Sequence, residues 1–246
     1  MVLSDIRKSA REALTGKWGK GALITLIYFL FTFVLGFISG LVENIAVLSF
    51  IVEIAIVIIN IPIAFGIMAS FIKLKRGEEV KVFDFITYGF NNFKRAWKIV
   101  GNILLKMWLP ILLYILATIV LVFTTTIGIA TYAISSSGSF SAIASIIGIT
   151  LFIAAFVFLF VKSLLYSPTY LVAYDNEDMS GKEIVEESAK LMTGNRCKFV
   201  LLQLSFIGWA ILTVFTLYIG MLWLIPYMQV AMICFYETLK DNKIEE

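Results

Sequence analysis

The chain has 246 residues, 60% of them hydrophobic and 15% charged, and a mean hydropathy of +0.94. A water-soluble domain is nearer half apolar and a quarter charged, so that class is excluded. A net charge of +3 says little beside the distribution of the charges, and no nucleic-acid partner is expected. The absence of histidine removes the commonest metal ligand and the commonest general base together.

The first predicted element is an amphipathic helix over residues 3–15. Leu3, Ile6, Ala10, Ala13 and Leu14 share one face, with Asp5, Arg7, Lys8, Arg11 and Glu12 largely opposite. It ends at Thr15-Gly16, where glycine can take the left-handed position after a helix. In the loop that follows, TGKWGKG, Gly16 and Gly21 have phosphate-loop spacing. Ala22 stands where that motif needs lysine, however, and a helix precedes the loop instead of a strand. No nucleotide is expected. Trp18 favours a membrane interface, and Lys17 and Lys20 can reach lipid phosphates at about 1 kcal/mol each. The helix either binds lipid in this way or braces the bundle.

Residues 21–42, 54–72, 107–161 and 199–236 carry no charge. A bilayer-spanning helix takes about 20 apolar residues. The first two runs therefore hold one span each and the longer runs two each. The expected spans are 21–42, 52–72, 107–130, 143–172, 199–217 and 220–238. Helices are expected because open sheet leaves backbone groups unsatisfied in lipid, and the runs lack the alternation of barrel strands. No signal peptide is expected, since the first run begins only at Gly21 and is too long for a signal core.

Glu43 and Glu53 lie between or near the first two spans and mark either an outward mouth or solvated loop carboxylates. Val82, Ile86, Phe90, Phe93 and Trp97 recur at helical spacing and predict a second interfacial helix. Lys106 either binds a ligand or lipid or simply begins the third span, as Lys20 and Lys198 begin the first and fifth. Serines cluster in SSSGSFSAIAS, residues 135–145, which reads as a flexible outer loop.

Lys162 is the clearest ionisable residue inside a span. It lies 11 residues before Ala173, about 16 Å at helical rise and so near mid-bilayer. Two readings stand: a cation that binds an anionic headgroup or substrate in a cavity, or a lysine that snorkels near Pro168. The stretch YDNEDMSGKE lacks the glycine and glutamate positions of a calcium loop and reads as a solvated turn. Ser180 and Glu183 then form a capping box for a third amphipathic helix, with Ile184, Val185, Ser188, Leu191 and Met192 as its stripe. Cys197 and Cys234 fall at span ends, on the face where free thiols are expected.

The sequence repeats. Residues 5–20 (DIRKSAREALTGKWGK) and 183–198 (EIVEESAKLMTGNRCK) align without gaps on Thr-Gly and a final lysine. Pro62, Pro168 and Pro226 each sit two to three turns before the end of a return span, where proline kinks a helix. The fold class expected is an all-α membrane protein, a single domain over 1–246. Its six transmembrane helices form three direct repeats, 3–78, 79–178 and 179–246. Each repeat is an interfacial amphipathic helix plus a two-span hairpin with a proline-kinked return helix. Lysine and arginine flank only one side of the spans, which places both termini in the cytoplasm.

REALTGKWGKGALITLIYF near the start and LLQLSFIGWAILTVFTLYIGMLWLIPYMQVAMICFYETL near the end carry a resemblance. The chain resembles the bacterial polytopic membrane family known as domain of unknown function 975. That resemblance implies a six-span protein of the cytoplasmic membrane of a Gram-positive bacterium. It implies no activity, cofactor or catalytic residue.

Zinc-protease, paired-cysteine and nucleophile-elbow motifs are all absent. The expected function is therefore non-enzymatic: binding of a lipid, an amphiphile or a membrane-protein partner, including a second copy, within the bundle. No cofactor or metal is expected. A small transporter or channel is the alternative, and an intramembrane lipid-modifying enzyme ranks below it.

Overall fold

The computed structural model describes residues 2–135 and 139–244. Among them there are helices and no strands. In chain order these are α1 (Leu3–Leu14), α2 (Trp18–Val42), α3 (Ala46–Arg76), α4 (Asp84–Asn91), α5 (Phe93–Ser135) and α6 (Ser139–Ser163). After a single 3-10 turn, Leu164–Tyr166, come α7 (Thr169–Asp175), α8 (Gly181–Met192), α9 (Arg196–Leu204), α10 (Ile207–Phe215) and α11 (Met221–Ile244). Six stretches are long and apolar enough to cross a membrane: Trp18–Val42, Ala46–Arg76, Phe93–Ala130, Ile143–Asp175, Arg196–Phe215 and Met221–Asn242.

The chain divides into two compact units, Met1–Val100 with Pro168–Glu246, and Gly101–Ser167. The division does not coincide with the repeat boundaries expected from the sequence. In the second unit α5 and α6 pack side by side. Gly148 lets them close up, because a Cβ there would lie 2.6 Å from Thr124 Oγ1. Tyr114 meets Phe152 and Phe156 across the pair.

The first unit is built on the α2–α3 hairpin. Its base is the end bearing Trp18 and Arg76, and its tip is the turn around Glu43. Near the base both helices are covered by protein: Ile24, Ile63, Phe65, Phe71, Ile72 and Leu74 are buried. Towards the tip, Phe33, Phe37, Leu41, Val47 and Phe50 are exposed. Apolar surface on that scale needs a non-aqueous environment. α1 lays Ile6, Ala10 and Leu14 against α3 and α11, and α8 buries Ile184, Val185 and Met192 where it packs on α7. α4 sits higher on α3, at a crossing of two glycines. A Cβ on Gly66 would come 1.8 Å from the Phe85 carbonyl oxygen, and one on Gly89 2.4 Å from that of Pro62.

The two Thr-Gly joints adopt one conformation. Thr15 is extended at φ −58°, ψ 127° and Gly16 left-handed at φ +74°; Thr193 at −65°, 125° and Gly194 at +82° repeat it. Each threonine hydroxyl donates to the carbonyl four residues back, Arg11 and Ala189 respectively.

The capping box forms. The Glu183 N–H donates to Ser180 Oγ, and the Ser180 N–H donates to Glu183 Oε2 at 2.8 Å. That second bond holds the Glu183 carboxyl below the usual carboxylate range. A carboxyl lowered in the folded state stabilises it above the unfolded pKa of about 4.3, and the contribution disappears as pH falls through the folded value. The melting temperature of Glu183→Ala should therefore lie below wild type at pH 6 and converge on it as the pH falls below the folded pKa of the carboxyl.

Several boundaries differ from those expected. The helix that carries the expected span 107–130 is longer than that span: α5 runs unbroken from Phe93, because a helix tolerates Lys94, Lys98 and Lys106 within its length. The predicted interfacial helix through Val82 to Trp97 divides at Asn92, whose side-chain amide donates to the Tyr88 carbonyl and competes with the next turn. Ser139–Ser145 belong to α6 instead of an outer loop, since serine starts helices well; residues 136–138 lie outside the described residues. The span 143–172 breaks before Pro168, which lacks an N–H and so ends a helix there and begins α7. Pro62 and Pro226 lie inside continuous helices. The span 199–217 is interrupted at Ser205 and Phe206, where the Ser205 hydroxyl donates to the Leu202 carbonyl. Asp175 is not in a solvated turn: its side chain is 8% exposed and ion-paired.

Candidate functional site

The polar face of α1 repeats arginine at i and i+4, so Arg7 and Arg11 project side by side. The opposite, apolar face anchors the helix, and the Tyr227 hydroxyl donates to the Arg7 carbonyl at 3.3 Å. Tyr227 in turn meets Trp18 edge-on at 6.0 Å and Phe206 at 5.0 Å. These contacts fix one wall of a cleft of about 510 Å³, open to the surroundings, between α1, the start of α2, α10 and the start of α11. Its lining includes Arg7 and Arg11 from α1, Trp18 from α2, Trp209 and Leu212 from α10, and Trp223 from α11.

Two of the cleft's hydroxyls are already engaged: Thr213 Oγ1 donates to the Ala210 carbonyl and Thr216 Oγ1 to that of Thr213. The available polarity is thus concentrated in the guanidinium groups. Among the described residues, neither Arg7 nor Arg11 forms an ion pair with a carboxylate. Arginine presents several donors in a planar fork suited to phosphate or carboxylate, and it packs well on aromatic faces. Two such groups in an aromatic and aliphatic cleft suit a molecule with an anionic head and an apolar body.

A second cluster ties the base together. Asp175 accepts from Arg76 at 2.6 Å, from Lys240 at 3.1 Å and from the Tyr236 hydroxyl at 3.2 Å. Lys75 pairs with Glu237, and Arg95 donates to the carbonyls of Ala173 and Asn176. Every carboxylate there faces a cation. Among the described residues no group of side chains is arranged to hold a metal ion.

The residues singled out from the sequence fall in three places. Trp18 lines the cleft. Beside it, Lys17 turns away and donates to the Leu74 carbonyl at 3.0 Å, capping the end of α3, while Lys20 is exposed. Glu43 is exposed at the tip of the α2–α3 hairpin, and Glu53, a little below it, accepts from the Ser39 hydroxyl. Lys106 and Lys162 belong to the second unit. Lys106 lies near Tyr166; Lys162 is exposed on α6, its Nζ 5.8 Å from the Phe158 ring centroid.

Arg7, Arg11, Trp209 and Trp223 were not among those residues. Two arginines one turn apart on an amphipathic helix read as an ordinary solvated face. Only the tryptophans at the far end of the chain, more numerous than a plain span needs, hint at a partner.

No curated protein and no solved structure matches the chain. The model of one family, described as "Protein of unknown function (DUF975)", matches residues 1–243, and with its helices accounted for from end to end the chain belongs to that family.

Proposed function

We propose that this is a non-enzymatic integral membrane protein that binds an anionic amphiphile in the cleft of its first unit. The observation that carries this reading is the pairing of Arg7 and Arg11 with a wall of Trp18, Trp209, Leu212 and Trp223. The guanidinium groups take the charged head and the aromatic wall takes the apolar body. No covalent step is assigned, in keeping with a chain without histidine. Both termini lie on the cytoplasmic side, a reading supported by the one-sided distribution of lysine and arginine. The fold descends from three copies of one unit, as the matching Thr15-Gly16 and Thr193-Gly194 joints suggest.

Lipid-resolved native mass spectrometry tests the binding. Wild type is expected to retain phosphatidylglycerol over phosphatidylcholine, and glycerol phosphate alone is not expected to bind. Arg7→Gln/Arg11→Gln should reduce that retention at least tenfold, since each charge-assisted bond contributes about 1.5–3 kcal/mol. Lys162→Leu should leave it unchanged. Equal retention by the double variant would refute the site.

A further inference from the structure

α11 is out of register with α2 by about half a bilayer. If both crossed the membrane fully and antiparallel, the start of α2 would face the end of α11. It faces the beginning instead: a Cβ on Gly21 would lie 3.0 Å from Pro226 Cβ and 3.5 Å from Leu74 Cδ2. Trp18 meets Tyr227, and Thr25 and Tyr28 enclose a small cavity with Ile225 and Gln229. From Gly21, α2 continues to Val42, about 32 Å at 1.5 Å per residue. From Pro226 back to Met221, the start of α11, there are five residues of helix, about 8 Å at the same rise, and the turn at Thr216–Gly220 follows directly. The α10–α11 turn therefore stops well short of the α2–α3 tip.

The other half of α11 runs the opposite way, past the base, where Glu237 pairs with Lys75 and Lys240 with Asp175. Its covering agrees. In the most apolar stretch of α11, 56% of residues are buried in protein, against at most 22% in the other five candidate spans.

The turn itself is built for surroundings without water. Phe215 and Leu217 are 81% and 83% exposed, and Tyr218 and Ile219 are exposed beside them. Leu217 and Tyr218 are held at φ 50° and 65°. Yet every backbone N–H from Thr216 to Leu222 has an internal acceptor. Thr216 and Tyr218 donate to the Thr213 carbonyl and Leu217 to Val214. Ile219 donates to Thr216, Met221 to Tyr218 and Leu222 to Ile219, while Gly220 donates to the Thr216 hydroxyl. A solvated loop can leave such donors to water, whereas irregular backbone among acyl chains cannot. The α2–α3 turn, by contrast, carries Glu43 and Asn44.

We infer that the α10–α11 hairpin is re-entrant: it enters the leaflet beside the hairpin base, ends among its acyl chains and returns without reaching the other leaflet. The cleft then opens sideways into that leaflet, with Arg7 and Arg11 towards the headgroups. Its occupant is an anionic phospholipid of the same leaflet, which diffuses in laterally. The occupant's identity rests on the lipid-binding reading above; the depth of the hairpin does not.

The test uses the full chain in phosphatidylglycerol/phosphatidylcholine liposomes, with Cys197→Ser and Cys234→Ala and one new cysteine at a time. A membrane-impermeant maleimide should label Asn44→Cys from one face. Phe215→Cys and Ile219→Cys should react at least tenfold less from that face. Nitroxides at the two turn sites should be accessible to oxygen and shielded from a water-soluble nickel chelate. Labelling of either site from the Asn44 face, or strong nickel accessibility, would overturn the re-entrant hairpin. With the depth result in place, equal retention of phosphatidylglycerol and phosphatidylcholine by the unmodified protein would overturn the lipid assignment alone.

Discussion

Gly66→Ala is expected to destabilise the detergent-solubilised protein by about 3 kcal/mol or more, or to leave it unrecoverable in folded form. The added methyl would sit 1.8 Å from the Phe85 carbonyl oxygen and 2.7 Å from its carbon. These are backbone atoms of α4 and cannot swing aside as a side chain would. The helix must lift off α3, which separates Gly89 from Pro62 and opens the packing of Phe85 against Tyr28 and Phe31. Small residues at helix crossings matter most where lipid supplies no hydrophobic drive for association. Gly89→Ala should behave similarly, and the double variant should lose less than the sum because both changes unseat one interface. Gly101→Ala is the control, since its methyl would meet nothing within 4 Å. Thermal unfolding followed by helical circular dichroism distinguishes the three.

Asp175→Ala should cost about 3 kcal/mol, at the lower end of the range for breaking a buried pair. The carboxylate is 8% exposed, while its partners Arg76 and Lys240 are 34% and 46% exposed. Water therefore screens part of what the two cations lose. Asp175→Asn keeps hydrogen bonding without charge and should fall between alanine and wild type. Adding Arg76→Leu to Asp175→Ala should recover part of the loss by removing a cation without a counter-charge, although it also forfeits the stacking of Arg76 on Tyr174 at 5.5 Å. A melt of these four proteins and of Arg76→Leu in one detergent would show this order. If the double variant is worse than the sum of the singles, the cluster works through packing and not through charge.

The sequence made the helices legible because a long uncharged run leaves few alternatives. It also made the Thr-Gly joints and the Ser180–Glu183 cap legible, since these are local chemistry that reads out within four residues. Register was not legible. Hydropathy reports composition and length, so α11 scores as a span while its offset from α2 appears only in the contact of Gly21 with Pro226. The interruptions at Ser205 and before Pro168 escaped for a related reason, as apolar side chains continue through both. Asp175 looked solvated because its partners, Arg76 and Lys240, are distant in sequence. The cleft joins residues 4–18 to 209–227, and no pattern within either segment announces the other. Of the residues first considered for binding, Trp18 lines it because it sits where α1 hands over to α2.

The base cluster also sets an order for biogenesis. Lys75 and Arg76 leave the ribosome well ahead of their counter-charges: Asp175 follows 99 residues after Arg76, and Glu237 follows 162 residues after Lys75. The whole second unit is made in that interval. Until α11 emerges, the apolar face of α1 lacks its main neighbour and Lys75 at the foot of α3 stands without the carboxylate of Glu237. A nascent chain halted before α11 thus displays greasy surface beside an uncompensated charge, and exposed apolar surface of that kind makes an unfinished protein prone to aggregate. Closure of the Asp175 cluster therefore waits on Lys240, the last of its partners to be made.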